Sequence, residues 1–320
     1  MIDPAPRLVT VIGGGGFIGR YVCEILLKAG VRLRVAERDP RRAWFLQPLG
    51  GVGQVAFATA DLTRPASLAA AAEGAFAVIN LVGILKGNFH AVHVAGARAA
   101  AEAAREAGAS AFVHVSAIGA DPNSKSAYGR SKGQGEAAVR AAFPGATIIR
   151  PSLVFGAEDQ LTNRFARMAR FPILPVIAPN TRFQPVFVRD LAQAIAASAL
   201  DPASHGGKIY DIAGPQVMTM RQLNSAIAKE AGQSPELVEV PDFAADLMSR
   251  FGFLPGAPLT RDQWEMLQTD NVAAAKSQGL NAFGIDPTPL SSVAHQWLGR
   301  FRRGGRFAPT ATDAPDTSNH

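Results

Sequence analysis

The sequence predicts a Rossmann-like α/β fold, a doubly wound parallel sheet with a smaller mixed C-terminal subdomain. Short apolar segments rich in β-branched residues alternate with longer segments of helical period. A run of glycines joins the first predicted strand directly to the first predicted helix. Strands that are apolar throughout are typical of a parallel sheet covered by helices on both faces.

The N-terminal elements follow this alternation in order. The predicted strands span 8–12, 33–36, 55–58, 77–81, 112–116 and 147–150. The predicted helices span 17–29, 67–73, 92–107 and 127–142. These elements define an expected dinucleotide-binding domain over 1–156, to which strands and helices of later sequence return.

After Gly156 the alternation of strands and helices is less regular, and proline-rich turns are predicted at 171–175 and 178–184. Helices are predicted at 189–199 and 220–231, and a strand at 208–212. We expect residues 157–302 to form a smaller subdomain over the carboxyl ends of the strands, where open α/β sheets bind ligands. The composition of residues 303–320 predicts a disordered tail.

Composition excludes several classes of protein. With 320 residues, 48% of them hydrophobic, the chain can bury a large core. The net charge of +6 comes from scattered arginines without a nucleic-acid motif, so no nucleic-acid partner is expected, whereas a basic surface facing lipid or an acidic partner stays open. The apolar stretch 66–85 is interrupted by Glu73 and Gly74, so no transmembrane segment is expected.

No targeting segment is evident at the N-terminus, and the single cysteine, Cys23, cannot form an internal disulfide. Both observations favour a chain that works inside the cell. Cys23 lies among apolar residues of a predicted helix and is interpreted as core packing.

The glycine run predicts a pyrophosphate site. A pyrophosphate needs a tight turn, a surface free of side chains and free amide groups at a helix start. Two spacings fit, because Gly14-x-Gly16-x-x-Gly19 is the ordinary Rossmann pattern and Gly13-x-x-Gly16-x-x-Gly19 is that of short-chain dehydrogenases. Phe17 and Ile18 complete the second pattern.

Later motifs select the second spacing. Asp61 and Leu62 end the third strand, where such proteins contact adenine, and Asn80, Leu81, Val82 and Gly83 end the fourth, near the nicotinamide-side ribose. The spacing Tyr128-x-x-x-Lys132 stacks both side chains on one helical face, so an ammonium group can lower the pKa of the phenol and bind the ribose.

These motifs, with segments 150–156 and 185–191, resemble the extended short-chain dehydrogenase/reductase superfamily, and Pro151 belongs to its second-half motifs. Within it, the chain is similar to an atypical branch: the NAD(P)H-binding accessory subunit of respiratory complex I and its bacterial relatives. The shared short segments are 80–84, 114–116, 143–144, 155–159, 184–186 and 259–263. The resemblance implies a structural NADPH and docking on peripheral-arm subunits, peripheral to the inner face of the inner membrane.

The choice of cofactor rests on the end of the second strand. Glu37 can bond both ribose hydroxyls and favours NAD(H), whereas Arg38, with Arg41 or Arg42, can pair with a 2′-phosphate and favours NADP(H). Three arginines exceed the needs of one ribose, and the resemblance points the same way. We therefore expect NADP(H) rather than NAD(H).

Catalysis is an open question at this stage. Ser116, Tyr128 and Lys132 are the candidate triad, but the resemblance places the catalytic hydroxyl about two residues further on, at Ile118. Ser124 or Ser126 can substitute, although both fit turn residues.

Three functions stay in competition: a structural accessory protein of complex I, an active reductase, epimerase or dehydratase for a sugar nucleotide or quinone-type substrate, and a sensor of the NADPH/NADP ratio. His90 and His93 lack a third ligand, so no metal site is expected. Segment 243–258, with Phe251, Phe253 and Leu254, is either a docking surface or core.

Overall fold

The computed structural model describes residues 6–251 and 259–302. Its strands, in chain order, are β1 (Leu8–Ile12), β2 (Arg32–Glu37), β3 (Val55–Thr59), β4 (Ala77–Asn80), β5 (Ala111–Val115), β6 (Thr147–Pro151), β7 (Val154–Phe155), β8 (Ile173–Ile177), β9 (Arg182–Phe183), β10 (Val186–Phe187), β11 (Ile209–Ile212), β12 (Met218–Thr219) and β13 (Glu236–Val240).

The α-helices are α1 (Phe17–Lys28), α2 (Pro65–Ala72), α3 (Ala97–Glu106), α4 (Ala127–Ala142), α5 (Gln160–Met168), α6 (Val188–Leu200), α7 (Pro202–His205), α8 (Met220–Glu230), α9 (Asp242–Arg250), α10 (Arg261–Leu267), α11 (Leu290–Val293) and α12 (His295–Leu298). A π-helix, His90–Gly96, precedes α3, and 3₁₀-helices span Pro40–Leu49, Leu280–Phe283 and Gly299–Phe301.

The central sheet has seven strands in the order β11-β6-β5-β4-β1-β2-β3, and each neighbouring pair is parallel. The strand order reverses between β1 and β4, which is the topological switch point where such sheets bind ligands. This arrangement confirms the predicted Rossmann-like, doubly wound fold.

Helices cover both faces of this sheet. One apolar core joins the sheet to α1 and α6 and contains the buried thiol of Cys23. The other joins it to α2, α3 and α4, whose contacting positions are mostly alanine. Alanine at these positions lets the helices approach the sheet closely.

Several elements of the second half of the chain pack around three stacked aromatic rings. Phe155, Phe187 and Trp297 lie with their ring centroids 5.6–6.5 Å apart and form a core with α5, α8, α11 and α12. Two other elements of this half, β11 and α6, belong instead to the central sheet and its covering.

Sequence-predicted boundaries agree with the structure to within one to two residues for most elements. The helix predicted over 92–107 is an exception, because its first turns form the π-helix His90–Gly96. The wider turn lies against Leu62 and α4, both distant in sequence, so the local pattern of apolar residues does not encode it.

Phe243, Leu247 and Phe251 are exposed, by 78%, 55% and 53% respectively. Ala245 of the same segment is buried, so the described part of segment 243–258 is only partly core, and its role as a docking surface stays a prediction. Phe253 and Leu254 lie outside the described residues, as does the tail 303–320. Within 6–251 and 259–302, no helix combines the length and apolar character needed to cross a membrane.

Candidate functional site

The glycine loop between β1 and α1 has a conformation that only glycine adopts easily. Gly13 has a φ of +88°, and its amide donates to the carbonyl oxygen of Ala36 at 3.0 Å. A Cβ on Gly19 would clash with the carbonyl oxygens of Gly13 and Gly14. The loop thus folds tightly against the first turn of α1, as the short-chain dehydrogenase spacing predicts.

The start of α1 leaves its amides available to an anion. Gly16 occupies the N-cap position without a capping side chain, and the first turn contains no acidic residue. Uncapped amides at a helix N-terminus form a ready site for phosphate. The side chains of Phe17 and Ile18 are half-buried against the core, and their amides belong to the uncapped first turn.

Glu37 closes the loop from the end of β2. Its carboxylate accepts a hydrogen bond from the Gly15 amide at 2.7 Å, and burial raises its pKa. Arg38 and Arg42 lie near enough to oppose that rise. Arg41, by contrast, forms an exposed ion pair with Asp39 at 2.8 Å, so a 2′-phosphate would have to compete with that carboxylate for it.

Asp61 and Leu62, at the end of β3, serve the local turn. The carboxylate of Asp61 accepts hydrogen bonds from the amide and the hydroxyl of Thr63, and the amide bond is the main cause of its lowered pKa. Leu62 is buried, and a Cβ on Gly96 would lie 2.7 Å from the Leu62 Cβ atom. Leu62 therefore packs inside the loop, and one carboxylate oxygen of Asp61 stabilises the turn.

The loop after β4 is held by a buried amide. Asn80 accepts from the Val82 amide at 3.1 Å and lies 3.3 Å from Nδ1 of His114. The Leu81 amide donates to the carbonyl oxygen of Ile12 at 3.0 Å, so the chain continues beside β1. The side chain of Asn80 is therefore fully occupied in shaping this loop.

Gly83 brings the same loop to face α4. A Cβ on Gly83 would lie 3.4 Å from Nζ of Lys132. The Lys132 ammonium donates to the carbonyl oxygen of Val115 at 3.1 Å, and burial lowers its pKa to about 8. The structure therefore brings together the residues predicted at the ends of β4 and β5 and on α4.

Tyr128 is not activated by Lys132 in this arrangement. Nζ of Lys132 is 5.9 Å from the centroid of the Tyr128 ring, and the Tyr128 pKa is raised to about 12, first by burial and then by Asp262. The sequence-based expectation that the ammonium lowers the phenol pKa is therefore wrong for this geometry. Burial and a nearby carboxylate both favour the neutral phenol.

The hydroxyl candidates divide into three roles. Ser116 is buried and its Oγ has no hydrogen-bond partner among the described residues. Ser126 caps α4 by accepting from the Gly129 amide at 3.2 Å, and Ser124 packs against Gly129. The Ile118 amide donates to the carbonyl oxygen of Pro151 at 3.0 Å, which ties the loop after β5 to the end of β6.

Asp262 is a site residue whose role the sequence did not reveal. Its carboxylate accepts from the amides of Ala127 and Tyr128, at 2.5 and 3.2 Å, and so caps the first turn of α4. Thr260 and Gln263 hold it there through a capping box at the start of α10. The resemblance includes segment 259–263 without giving Asp262 a role, and the capping-box pattern of Thr260 and Gln263 is the sequence signal for this helix start.

His93 is the second residue that the sequence did not assign. Its Nε2 accepts from the Ile84 amide at 3.0 Å, and its Nδ1 is 2.8 Å from Oγ of Ser131. Burial, followed by the charge of Lys132, lowers its pKa to about 3. Across the described ranges no cluster of three or more potential metal-ligating side chains occurs.

Comparison with known proteins identifies relatives of this chain. The model of the NAD dependent epimerase/dehydratase family matches residues 9–213. The mitochondrial "NADH dehydrogenase [ubiquinone] 1 alpha subcomplex subunit 9" of Rattus norvegicus is 34% identical over 304 residues, covering 92% of this chain and 80% of that protein. The ceramide reductase of Caulobacter vibrioides is 36% identical over 248 residues, covering 76% of each chain.

Among solved structures, the NADPH-dependent quinone oxidoreductase of Escherichia coli in complex with NADPH superimposes with a TM-score of 0.71. It is 22% identical, and the match covers 90% of this chain and 99% of that one. This likeness supports the fold alone. With the family match over residues 9–213 and the glycine loop, sheet and helix α4 described above, the chain belongs to the NAD-dependent epimerase/dehydratase family.

Proposed function

We propose that this protein is an accessory subunit of respiratory NADH:quinone oxidoreductase (complex I) that holds an NAD(P)H molecule mainly as a structural element. The observation that carries the proposal is a cradle, formed by the Gly13–Gly19 loop and the uncapped start of α1, that suits a dinucleotide and lies beside a tyrosine that is not activated. The similarity to a complex I subunit extends over 92% of this chain, far beyond the glycine loop.

The cradle fits a dinucleotide. The tight Gly13–Gly19 turn and the uncapped first turn of α1 suit a pyrophosphate, and Gly83 lets the loop after β4 approach Lys132 closely, where a ribose would bind. A bound reduced nicotinamide would supply a hydride in a reductase. In the structural role no hydride is transferred. In this role Lys132 and Tyr128 hold the nicotinamide end, and the glycine loop holds the phosphates.

The state of Tyr128 argues against turnover. General acid catalysis is most efficient when the pKa of the acid lies near the working pH, and a phenol with a pKa of about 12 is far from it. Lys132 donates to a backbone carbonyl rather than to the phenol. An active reductase, the competing function, would need both groups to rearrange when substrate binds.

The arginines beyond β2 support NADP(H) over NAD(H). Arg38 and Arg42 are exposed and form no salt bridge within the described residues, so both can pair with a 2′-phosphate. Glu37, which would favour NAD(H), is already bonded to the Gly15 amide. The two exposed arginines therefore favour the phosphorylated cofactor.

The proposed location is the inner face of the inner membrane, with the chain docked on peripheral-arm subunits of complex I. Relatives named as subunits of mitochondrial NADH dehydrogenase motivate this placement. Attachment then depends on surface contacts with protein or lipid head groups, to which the net charge of +6 is suited.

Purification of native complex I tests the proposal directly. We expect the chain to co-purify, and denaturation to release about one NADPH per chain, identified by mass spectrometry. Excess free nucleotide should not displace the cofactor from the native protein within hours. Absence of the chain from the complex would contradict the assembly role.

The reductase alternative is tested with the Tyr128→Phe variant. If the cofactor is structural, wild-type protein and variant show the same negligible oxidation of NADPH across ketone, quinone and sugar-nucleotide substrates. Turnover by the wild type that falls at least a hundredfold in the variant would replace the structural role with catalysis.

A further inference from the structure

The π-helix His90–Gly96 is clamped on both sides. A Cβ on Gly135 of α4 would clash with the carbonyl oxygen of His93, and a Cβ on Gly96 would lie 2.7 Å from the Leu62 Cβ atom. π-turns are rare and are frequently found at functional sites. Here the wide turn directs the imidazole of His93 between the loop after β4 and α4.

Both ring nitrogens of His93 are used, and their roles are fixed. The Ile84 amide can only donate, so Nε2 of His93 is the acceptor and Nδ1 carries the hydrogen. Nδ1 then donates to Oγ of Ser131, which in turn donates to the carbonyl oxygen of Tyr128. A continuous chain of hydrogen bonds thus connects Ile84 to the first turn of α4.

The ring faces of His93 contact the same region. Phe89 stacks on the imidazole with centroids 5.4 Å apart, and the Tyr128 ring meets it edge-on at 5.5 Å. Phe89 also meets Tyr128 edge-on at 6.1 Å. The imidazole therefore fixes Tyr128 laterally while its nitrogens fix the loop that carries Gly83.

We propose that His93 is a positioning residue that sets the spacing between the loop after β4 and the Tyr128 end of α4, and thereby shapes the nicotinamide end of the site. The inference rests on the proposed function, because that function places a dinucleotide here. The adenosine end, formed by the glycine loop and Glu37, makes no hydrogen bond or ring contact with His93 in the described structure. His93 should act on one half of the ligand only.

Variants of the full chain separate the two hydrogen bonds. His93→Phe keeps an aromatic ring and removes both bonds. His93→Gln places an amide near Nε2 and retains an acceptor for Ile84, whereas His93→Asn places one near Nδ1 and retains a donor for Ser131. His90→Phe is the matched control, because His90 is exposed in the same π-helix.

Two probes report on the two ends of the ligand. NADPH reports on the whole site, and its dissociation rate and nicotinamide fluorescence are measured. Adenosine 2′,5′-bisphosphate reports on the adenosine end alone, and its affinity is measured by calorimetry on protein from which the nucleotide has been removed. In His93→Phe we expect NADPH to dissociate about tenfold faster or more, the free-energy equivalent of one hydrogen bond. Affinity for the bisphosphate should stay within twofold, and His93→Gln should recover more than His93→Asn.

The outcomes are distinguishable. Faster NADPH loss, a shifted nicotinamide emission and unchanged bisphosphate affinity support the inference. Unchanged NADPH dissociation in His93→Phe, or equal loss of both probes in all three variants, overturns it and leaves the proposed function intact. If wild-type chain does not load NADPH, the proposed function fails, and this inference fails with it.

Discussion

Lys132 is a buried amine that a backbone carbonyl, rather than an acidic side chain, holds in place. Its pKa of about 8 means that the folded chain binds this proton less tightly than the unfolded chain, where the ordinary value is 10.5. Below pH 8 the charged amine therefore costs stability. That cost shrinks as the pH rises from about 8 to 10.5, because the folded protein has already released the proton.

The Lys132→Met variant isolates this cost. The difference in unfolding free energy, variant minus wild type, should fall by about 3 kcal/mol between pH 8 and pH 10.5, and should be flat below pH 8. Loss of the bond to Val115 adds an offset of about 1–3 kcal/mol that does not depend on pH. Denaturant titrations at several pH values measure the difference.

Lys276→Met, at an exposed position outside the described salt bridges, is the control for the loss of a lysine side chain. If the difference in unfolding free energy between Lys132→Met and wild type does not change with pH, burial does not lower the pKa of the Lys132 amine.

Single residues were predictable from the sequence where chemistry depends on short spacing. The Gly13-x-x-Gly16-x-x-Gly19 and Tyr128-x-x-x-Lys132 patterns each specify a local geometry that the structure reproduces. The partner of each polar group was not predictable, because it comes from distant sequence. His93 meets Ser131, and Tyr128 meets Asp262, only once the sheet is assembled.

At the scale of elements, α4 is the best supported helix of the site. Ser126, at the N-cap position, accepts from the amide of Gly129. Asp262, which lies on α10, accepts from the amides of Ala127 and Tyr128. A carboxylate at a helix N-terminus also interacts favourably with the helix dipole. Two side chains, Ser126 and Asp262, thus hold the first turn of the helix that bears Tyr128 and Lys132.

Asp262→Ala should lower the free energy of unfolding by about 1 kcal/mol, the usual cost of losing an N-terminal cap. The midpoint of urea unfolding measures the loss, with an unchanged dependence on urea concentration. Asp286→Ala removes an exposed carboxylate elsewhere and should leave the midpoint unchanged. Equal midpoints for both variants would mean that Asp262 does not stabilise α4.

Element boundaries were predictable because buried strands and amphipathic helices carry their own periodicity. The range Ala127–Ala142 of α4 was obtained from the sequence alone. The π-helix was not, because its wide turn depends on the approach of Gly135 and Leu62 rather than on its own residues. In a sequence, the only sign of such a close backbone contact is an isolated glycine.

For the whole molecule, the central sheet is completed by late sequence. Strand β11 pairs with β6 at one edge, and α6 places Leu191 and Ile195 in the core beneath β1, β4 and β5. Both elements follow Gly156, where the N-terminal domain was expected to end, although returning elements were part of that expectation.

A fragment ending at Gly156 should therefore not fold on its own. Without α6, the sheet face that carries Val9, Val11 and Ile79 loses half of its helical cover, and the exposed apolar area is too large for a stable monomer. Circular dichroism of residues 1–156 should show no cooperative thermal transition, whereas the full chain should show one. A sharp transition in the fragment would mean that α1 alone suffices on that face.

The cap on α4 also has a consequence in time. Asp262 follows Ala127 by 135 residues, so the ribosome must add that length of chain before the cap can form. At ordinary rates of synthesis this takes roughly 7 to 27 s. Throughout that interval the glycine loop has already emerged while the turn bearing Tyr128 has only its serine cap. A nucleotide captured after α6 and β11 have joined the sheet, but before Asp262 is added, would be held by its phosphates alone, and its nicotinamide end would be secured only as synthesis nears completion.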